Sequence, residues 1–320
     1  MSDLLQGKRV VFLRGVGDDD RHIVSILSEE SYEIFEYSDP FDARAQIYNE
    51  PPEIIVVSNR AAGWRDFIIT IKADSFYTHV PVLIIADKDN DQLLSSLTNI
   101  YFDDFMMTPC RREELALRMQ IRLLHTRRDL DANPLTRLPG NYSITAMIQK
   151  KIDAKEPFAL AYIDLDNFKA YNDRYGFARG DDAIRMTSRV LVNATRRFAP
   201  QGGFVGHVGG DDFVAILPPE MIVEFCEETI QNFGIIGPTL FNDEDRLRGW
   251  YEYLNRQKVM TRFPLLTISM AVINSNITKL NHPAKAAAIA SELKGVVKKL
   301  SGSNYMVDRR SDQNQEGKGR

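Results

Sequence analysis

Cysteine is nearly absent from this chain. Its 320 residues include two, Cys110 and Cys226, far apart and without the C-x-x-C spacing of a zinc pair or redox motif. A disulfide scaffold is therefore excluded, and two reduced, buried or half-buried thiols in a cytoplasmic protein are expected. Long hydrophobic runs are missing as well. No segment offers the roughly 18 consecutive apolar residues of a membrane span, and the N-terminal stretch lacks the apolar core of a secretory signal. There is no excess of basic charge: 40 Lys and Arg stand against 44 Asp and Glu, a net charge of −4. A partner held by a broad basic surface, nucleic acid above all, is disfavoured. A nucleotide is not, because it needs only a local cationic site.

What is present is an ordinary soluble composition, 44% hydrophobic and 26% charged, which excludes global disorder and a collagen-like fibre. The length suits two domains. The first reads as a doubly wound α/β domain over residues 6–110. Short apolar runs at Val10-Val11-Phe12-Leu13, Ile54-Ile55-Val56-Val57, Val82-Leu83-Ile84-Ile85 and Phe105-Met106-Met107 suit buried parallel strands. Helical patterns over 21–30, 40–48, 63–73 and 92–100 alternate with them. A connector helix follows over 111–132, with Leu117, Ile121 and Leu124 at i, i+4 and i+7. It either packs on its own domain or forms a coiled seam between two protomers.

The second domain, residues 133–308, reads as α+β. Strands are expected over 158–163 and 265–273, a hairpin over 203–217 around Gly209-Gly210-Asp211-Asp212, and a helix over 283–300. Residues 241–256 look like an exposed insertion, and 309–320 like a disordered tail.

Carboxylates gather at two expected strand ends. Asp164 closes an apolar strand in Ile163-Asp164-Leu165-Asp166-Asn167-Phe168-Lys169, and Asp211 and Asp212 sit in the hairpin tip. Oxygen ligands of this kind suit Mg²⁺ bridging to phosphates, and the two glycines let the turn backbone approach a ligand. Asp166 and Asp173 read equally well as solvated loop or cap residues. Tyr171, Tyr175 and Phe177 read as packing groups.

Taken together, these pieces resemble the GGDEF family of diguanylate cyclases. Residues 133–141, Asn-Pro-Leu-Thr-Arg-Leu-Pro-Gly-Asn, are similar to the opening D-x-L-T-G-L-x-N motif. Asp164 to Lys169 matches D-x-D-x-F-K, followed by Asn172-Asp173 and Gly180-Asp181. Residues 209–213 stand as GGDDF, and Lys299 with Gly302-Ser303-Asn304 resembles the closing A-K-x-x-G-R-N. The resemblance implies a palm-like cyclase fold in which a homodimer condenses two GTP into cyclic di-GMP and two pyrophosphates, with Mg²⁺ or Mn²⁺. It implies Asp164, the Leu165 carbonyl, Asp211 and Asp212 as metal ligands. For Asp212 the resemblance implies help in binding the second metal or acceptance of the 3′-hydroxyl proton. Asn167, Phe168, Lys169 and Lys299 would bind phosphates, and Asn172 and Asp181 would read guanine.

Three departures stand out. Ser303 replaces the closing Arg, Asn133 replaces the opening Asp, and the inhibitory R-x-x-D falls on residues 200–203, where it is missing. Asp181 is retained, which favours cyclic di-GMP over mixed cyclic GMP-AMP. A non-catalytic sensor of GTP or cyclic dinucleotide is the rival from a different class. The N-terminal domain resembles a response-regulator receiver without its chemistry. Ser58 stands at the phosphoacceptor Asp, Ala86 at the Thr or Ser, and Thr108 at the Lys. The Asp18-Asp19-Asp20 cluster reads as displaced by Gly15–Gly17. Dimerisation or binding of a protein partner is the expected role.

Overall fold

The computed structural model describes residues 7–87, 97–98, 100–254 and 257–310. They form two compact units, Met1–Leu130 and Asp131–Arg320.

The first unit alternates strands β1 (Arg9–Leu13), β2 (Glu33–Tyr37), β3 (Ile54–Ser58), β4 (Val82–Asp87) and β5 (Asp104–Thr108) with helices α1 (Asp18–Glu29), α2 (Pro40–Asn49) and α3 (Trp64–Ala73). Helix α4 (Arg112–Asp131) follows. The strands pair in parallel in the order β2-β1-β3-β4-β5. The apolar runs are continuous because both sheet faces are covered. Val11, Leu13, Ile55, Val57 and Ile84 face one core and Val10, Phe12, Ile54, Val56 and Leu83 the other. Edge strand β2 escapes a hydropathy reading because Glu33 and Glu36 interrupt it. Helix α2 is started by Asp39, whose carboxylate accepts from the Phe41 amide at 2.7 Å, with Pro40 in the first turn.

Helix α4 is built into this unit rather than standing apart from it. Leu115, Met119 and Leu123 are buried in the second of these cores, and each such side chain contributes roughly 1.5–3 kcal/mol. Leu117, Ile121 and Leu124 lie on the other side, 57%, 38% and 40% exposed. The helix therefore carries two apolar faces, one of them uncovered. The expected helix at 92–100 and tail at 309–320 lie almost wholly outside the described residues.

The second unit has strands β6 (Ala159–Asp166), β7 (Phe204–Gly209), β8 (Asp212–Leu217), β11 (Thr267–Asn274) and β12 (Asn304–Val307), ordered β12-β11-β6-β8-β7. Strands β9 (Trp250–Leu254) and β10 (Met260–Pro264) form a separate antiparallel pair. Helices α6 (Phe168–Tyr175), α7 (Phe177–Phe198) and α8 (Ile222–Ile236) share one sheet face. Helices α5 (Asn141–Asp153) and α10 (Pro283–Val297) share the other. The Asp131 carboxylate holds the start of α5, accepting from the amides of Gly140, Tyr142 and Ser143 at 3.0, 2.8 and 3.1 Å.

Residues 241–254 are mostly exposed, as expected, but are anchored at both ends of the charged run. They include helix α9 (Asp243–Arg248) and β9. Phe241 and Tyr251 are buried, packed with Tyr171 and Tyr175 as an aromatic cluster. Aromatic side chains flank the charged run and anchor it, a pattern that a reading of the charge alone misses. Phe177, read as a packing group, is instead 80% exposed.

Candidate active site

The site grows from the pairing of β6 with β8. Their antiparallel register sets Asp164 opposite Asp212 at the strand ends. Facing residues in such a pair lie about 5 Å apart, so two carboxylates meet there. Gly209 and Gly210 make the preceding turn with φ of 150° and 57°, conformations open to glycine. They leave Asp211 at the tip beside Asp164. Burial pushes the Asp211 carboxyl up to about 6, and the Asp164 charge adds to it. Burial also raises Asp212, while Lys294 opposes the shift.

His207 braces the turn. One ring nitrogen lies 2.9 Å from the Gly210 carbonyl, which can only accept, so Nε2 carries the proton. Nδ1 then accepts from the Thr136 hydroxyl at 3.0 Å. Burial lowers the His207 pKa, which favours this neutral form. The ring stacks on Phe213, with centroids 4.3 Å apart. His207 thus ties the 133–141 segment to the hairpin, a role no motif signalled. Within that segment the Asn133 side chain accepts from the Leu135 and Thr136 amides. Arg137, at the motif's glycine position, adopts φ 59°.

Helix α6 starts directly beyond β6. Asn167 turns the chain with φ 63°, and the Asn167 and Phe168 amides stand at the helix N-terminus, where anions are favoured. Lys169 is exposed and Phe168 buried. Gly180 packs against Asn172 so closely that a Cβ there would lie 1.8 Å from Asn172 Oδ1. This contact brings Asn172 to the Gly180-Asp181 segment. Asp181 is 4.0 Å from Arg185. Asp166 is a strut rather than a solvated loop residue: it accepts from Thr267 and Ser269, each at 2.8 Å. Ser303 Oγ accepts from the Ile268 amide at 3.1 Å, so it fastens the β12 end to β11.

The lysines at the carboxylates are ones the motif did not indicate. Lys294 Nζ lies 2.5 Å from one Asp164 oxygen and also bonds Asp212. Lys298 Nζ lies 2.5 Å from the other Asp164 oxygen. Lys299, the motif lysine, is exposed past the end of α10. Among the described residues no three His, Cys, Asp or Glu side chains form a ready-made metal cage. The carboxylates still fit Mg²⁺ in kind, because that ion is commonly held by one or two carboxylates plus substrate phosphates. A separate cleft of about 430 Å³ runs along α7, lined by Arg179, Arg185 and Arg189 with Tyr171 and Phe241. It contains none of the expected site residues.

The receiver-like chemistry in the first unit is replaced in detail. Ser58, buried at the end of β3, donates to Asp20 at 3.0 Å. The other Asp20 oxygen accepts from the Gly15 amide at 2.6 Å. The acidic cluster is therefore not displaced: Asp20 reaches the acceptor position. Arg60 spans Asp19 and Asp87 at 2.9 and 2.6 Å, which puts a guanidinium among these acids. Thr108 donates to the Ala86 carbonyl at 3.3 Å.

Residues 131–234 match the family described as "Diguanylate cyclase, GGDEF domain". The second unit holds a GGDEF domain. Among curated proteins, the response regulator PleD of Caulobacter vibrioides is 23% identical over 229 residues, 65% of this chain and 50% of PleD. Diguanylate cyclase DgcN of Escherichia coli is 33% identical over 142 residues, 41% of this chain and 33% of DgcN. The chain thus spans half or less of these relatives' length. A solved structure of the coiled coil and GGDEF domain of DgcB from Caulobacter crescentus, in complex with c-di-GMP, is 18% identical. It covers 61% of this chain and 95% of that one, with a TM-score of 0.43. Among the described residues no helix is long and apolar enough to cross a membrane.

Proposed function

We propose that the protein is a diguanylate cyclase that condenses two GTP into cyclic di-GMP. The observation that carries this reading is the meeting of Asp164 with the GGDDF turn through the β6–β8 register, inside a GGDEF domain. Asp164, Asp211 and the Leu165 carbonyl would hold Mg²⁺ or Mn²⁺. The metal supplies Lewis-acid stabilisation of charge on the phosphates. The Asn167 and Phe168 amides, Lys169 and Lys299 bind the β- and γ-phosphates. Asn172 and Asp181 read guanine, the carboxylate accepting from N1–H and the 2-amino group, two donors that adenine does not offer together.

Each 3′-oxygen bonds to the α-phosphorus of the other nucleotide while the bond to pyrophosphate breaks. Asp212 accepts the 3′-hydroxyl proton, a role its raised pKa suits. One domain holds one nucleotide, so two protomers must face each other. The uncovered Leu117, Ile121 and Leu124 face supplies a surface for that pairing. The first unit, with Ser58 and Arg60 where a phosphoacceptor would work, serves dimerisation or a protein partner. The Lys294 and Lys298 contacts favour a second reading, a sensor that binds GTP or cyclic dinucleotide without turnover.

The test is incubation of the full chain with Mg²⁺ and GTP, with and without ATP, and identification of products by mass. Cyclic di-GMP that vanishes in a folded Asp211→Ala variant supports the cyclase. Bound but unconverted GTP supports the sensor, and cyclic GMP-AMP as the main product would overturn the guanine role of Asp181.

A further inference from the structure

Both oxygens of Asp164 are engaged by ammonium groups from a single helix. Lys294 lies in the last turn of α10 and Lys298 caps its C-terminus with helical backbone angles, so the two are one turn apart, and such i, i+4 residues share a face. That helix is fixed to the sheet: Ala290 and Leu293 are buried with Leu160, Ile216 and Ala271. The Asp164 side chain is only 4% exposed, whereas Lys294 and Lys298 are 28% and 41% exposed. The carboxylate is thus buried, and the lysines reach it from the solvent side. Lys294 also bonds Asp212 across the sheet, so one ammonium bridges the carboxylates of both strands. Of the three acids Asp164, Asp211 and Asp212, the first and last are paired with these two ammonium groups.

Resting on the reading of these acids as a metal site, we infer that Lys294 and Lys298 are built-in counter-cations that a divalent ion must displace from Asp164. Metal affinity of the nucleotide-free protein is therefore held down by the protein's own side chains. A buried carboxylate left unpaired would be destabilising, so the two lysines offset that cost until a divalent ion takes their place. Lys294, with two carboxylate contacts, is the stronger competitor, and Lys298, with one, the weaker.

The experiment is a Mn²⁺ titration of the full chain without nucleotide, read by the loss of free-ion electron paramagnetic resonance signal. Lys294→Ala is expected to bind Mn²⁺ about tenfold more tightly than wild type, equivalent to ~1.4 kcal/mol. Lys298→Ala should show a smaller gain. Lys299→Ala, which changes net charge equally without touching Asp164, should bind as wild type does. Lys294→Gln keeps most of the side chain and carries the measurement if the alanine variant fails to fold. Asp164→Asn separates the two layers of the argument. If it abolishes Mn²⁺ binding while Lys294→Ala and Lys294→Gln match wild type, the metal site stands and the counter-cation role is overturned. If Lys299→Ala gains as much as Lys294→Ala, general electrostatics explains the effect and the role is likewise overturned. If no protein binds Mn²⁺, the metal reading falls with it.

Discussion

Replacing Gly180 by alanine should separate folding from substrate recognition. Gly180 is a buried residue inside α7, and no left-handed φ demands glycine there. On helix propensity alone, alanine would stabilise the helix by about 1 kcal/mol. The added Cβ, however, would stand 1.8 Å from Asn172 Oδ1 and 2.7 Å from Asn172 Cγ. Neither distance is tolerable, so Asn172 must rotate away. Overpacking of this kind costs roughly 1–3 kcal/mol. Only the end of a short side chain has to yield, which puts the cost at the lower limit. The two terms nearly cancel, and stability is expected to change by less than about 1 kcal/mol, a few degrees in Tm for a domain of this size. Recognition has no such compensation. If Asn172 bonds guanine, losing that bond costs about 1–1.5 kcal/mol, and KM for GTP rises about tenfold with kcat less affected. Initial rates against GTP concentration, with melting curves on the same samples, provide the assay. A folded Gly180→Ala protein with wild-type KM would refute the argument, because Asn172 would then be displaced without consequence.

Asp211 should make the fold pH-dependent in a defined direction. Its carboxyl is raised from 3.8 to about 6, chiefly by burial, so the native state holds this proton more tightly than the unfolded chain does. Stability is therefore lost as pH rises from about 4 to 6. Asp211→Asn should be more stable than wild type at pH 8 by about 1 kcal/mol after solvent screening, and equal to it at pH 3.5, as urea unfolding would show. Ile121→Asp should weaken self-association and lower specific activity in dilute solution with little change in Tm, whereas Met119→Asp, in the core, should cost 3 kcal/mol or more in stability. Sedimentation and melting of both variants would check this. Acetyl phosphate should leave activity unchanged, since Ser58 and Arg60 occupy the acceptor pocket. An acyl phosphate on the first unit, detected by mass, would contradict that.

The strands were legible where burial made them continuous. Val10 to Leu13, Ile54 to Val57 and Val82 to Ile85 announce themselves because both sheet faces exclude water, whereas the exposed edge β2 does not. The candidate site was legible in part from its backbone frame: Asp164 and the GGDDF turn stand out as strand ends around glycines, and the Asn167–Lys169 corner through the family resemblance. Its cationic lining was not. Lys294 and Lys298 face Asp164 only because α10 packs through Ala290 and Leu293, a rotation that the spacing from Gly302 does not encode. The charged run 243–248 concealed its aromatic anchors for a similar reason. Phe241 and Tyr251 bracket it in sequence, but their partners Tyr171 and Tyr175 lie some seventy residues earlier.

The β7–β8 hairpin also restricts how its sequence can vary. Strand β8 pairs with β6 on one side and β7 on the other, and an irregularity between His207 and Gly209 already sets the turn's phase. Side chains alternate faces along a strand. Inserting or deleting one residue between Asp212 and Leu217 would exchange the buried Phe213, Ala215 and Leu217 with Val214 and Ile216. Because the latter face a second packed layer, a single-residue change in length would disturb both cores as well as the site. Among functional variants, this hairpin should therefore differ by substitution or by changes at the Gly209-Gly210 tip, and hardly ever by the loss or gain of one strand residue.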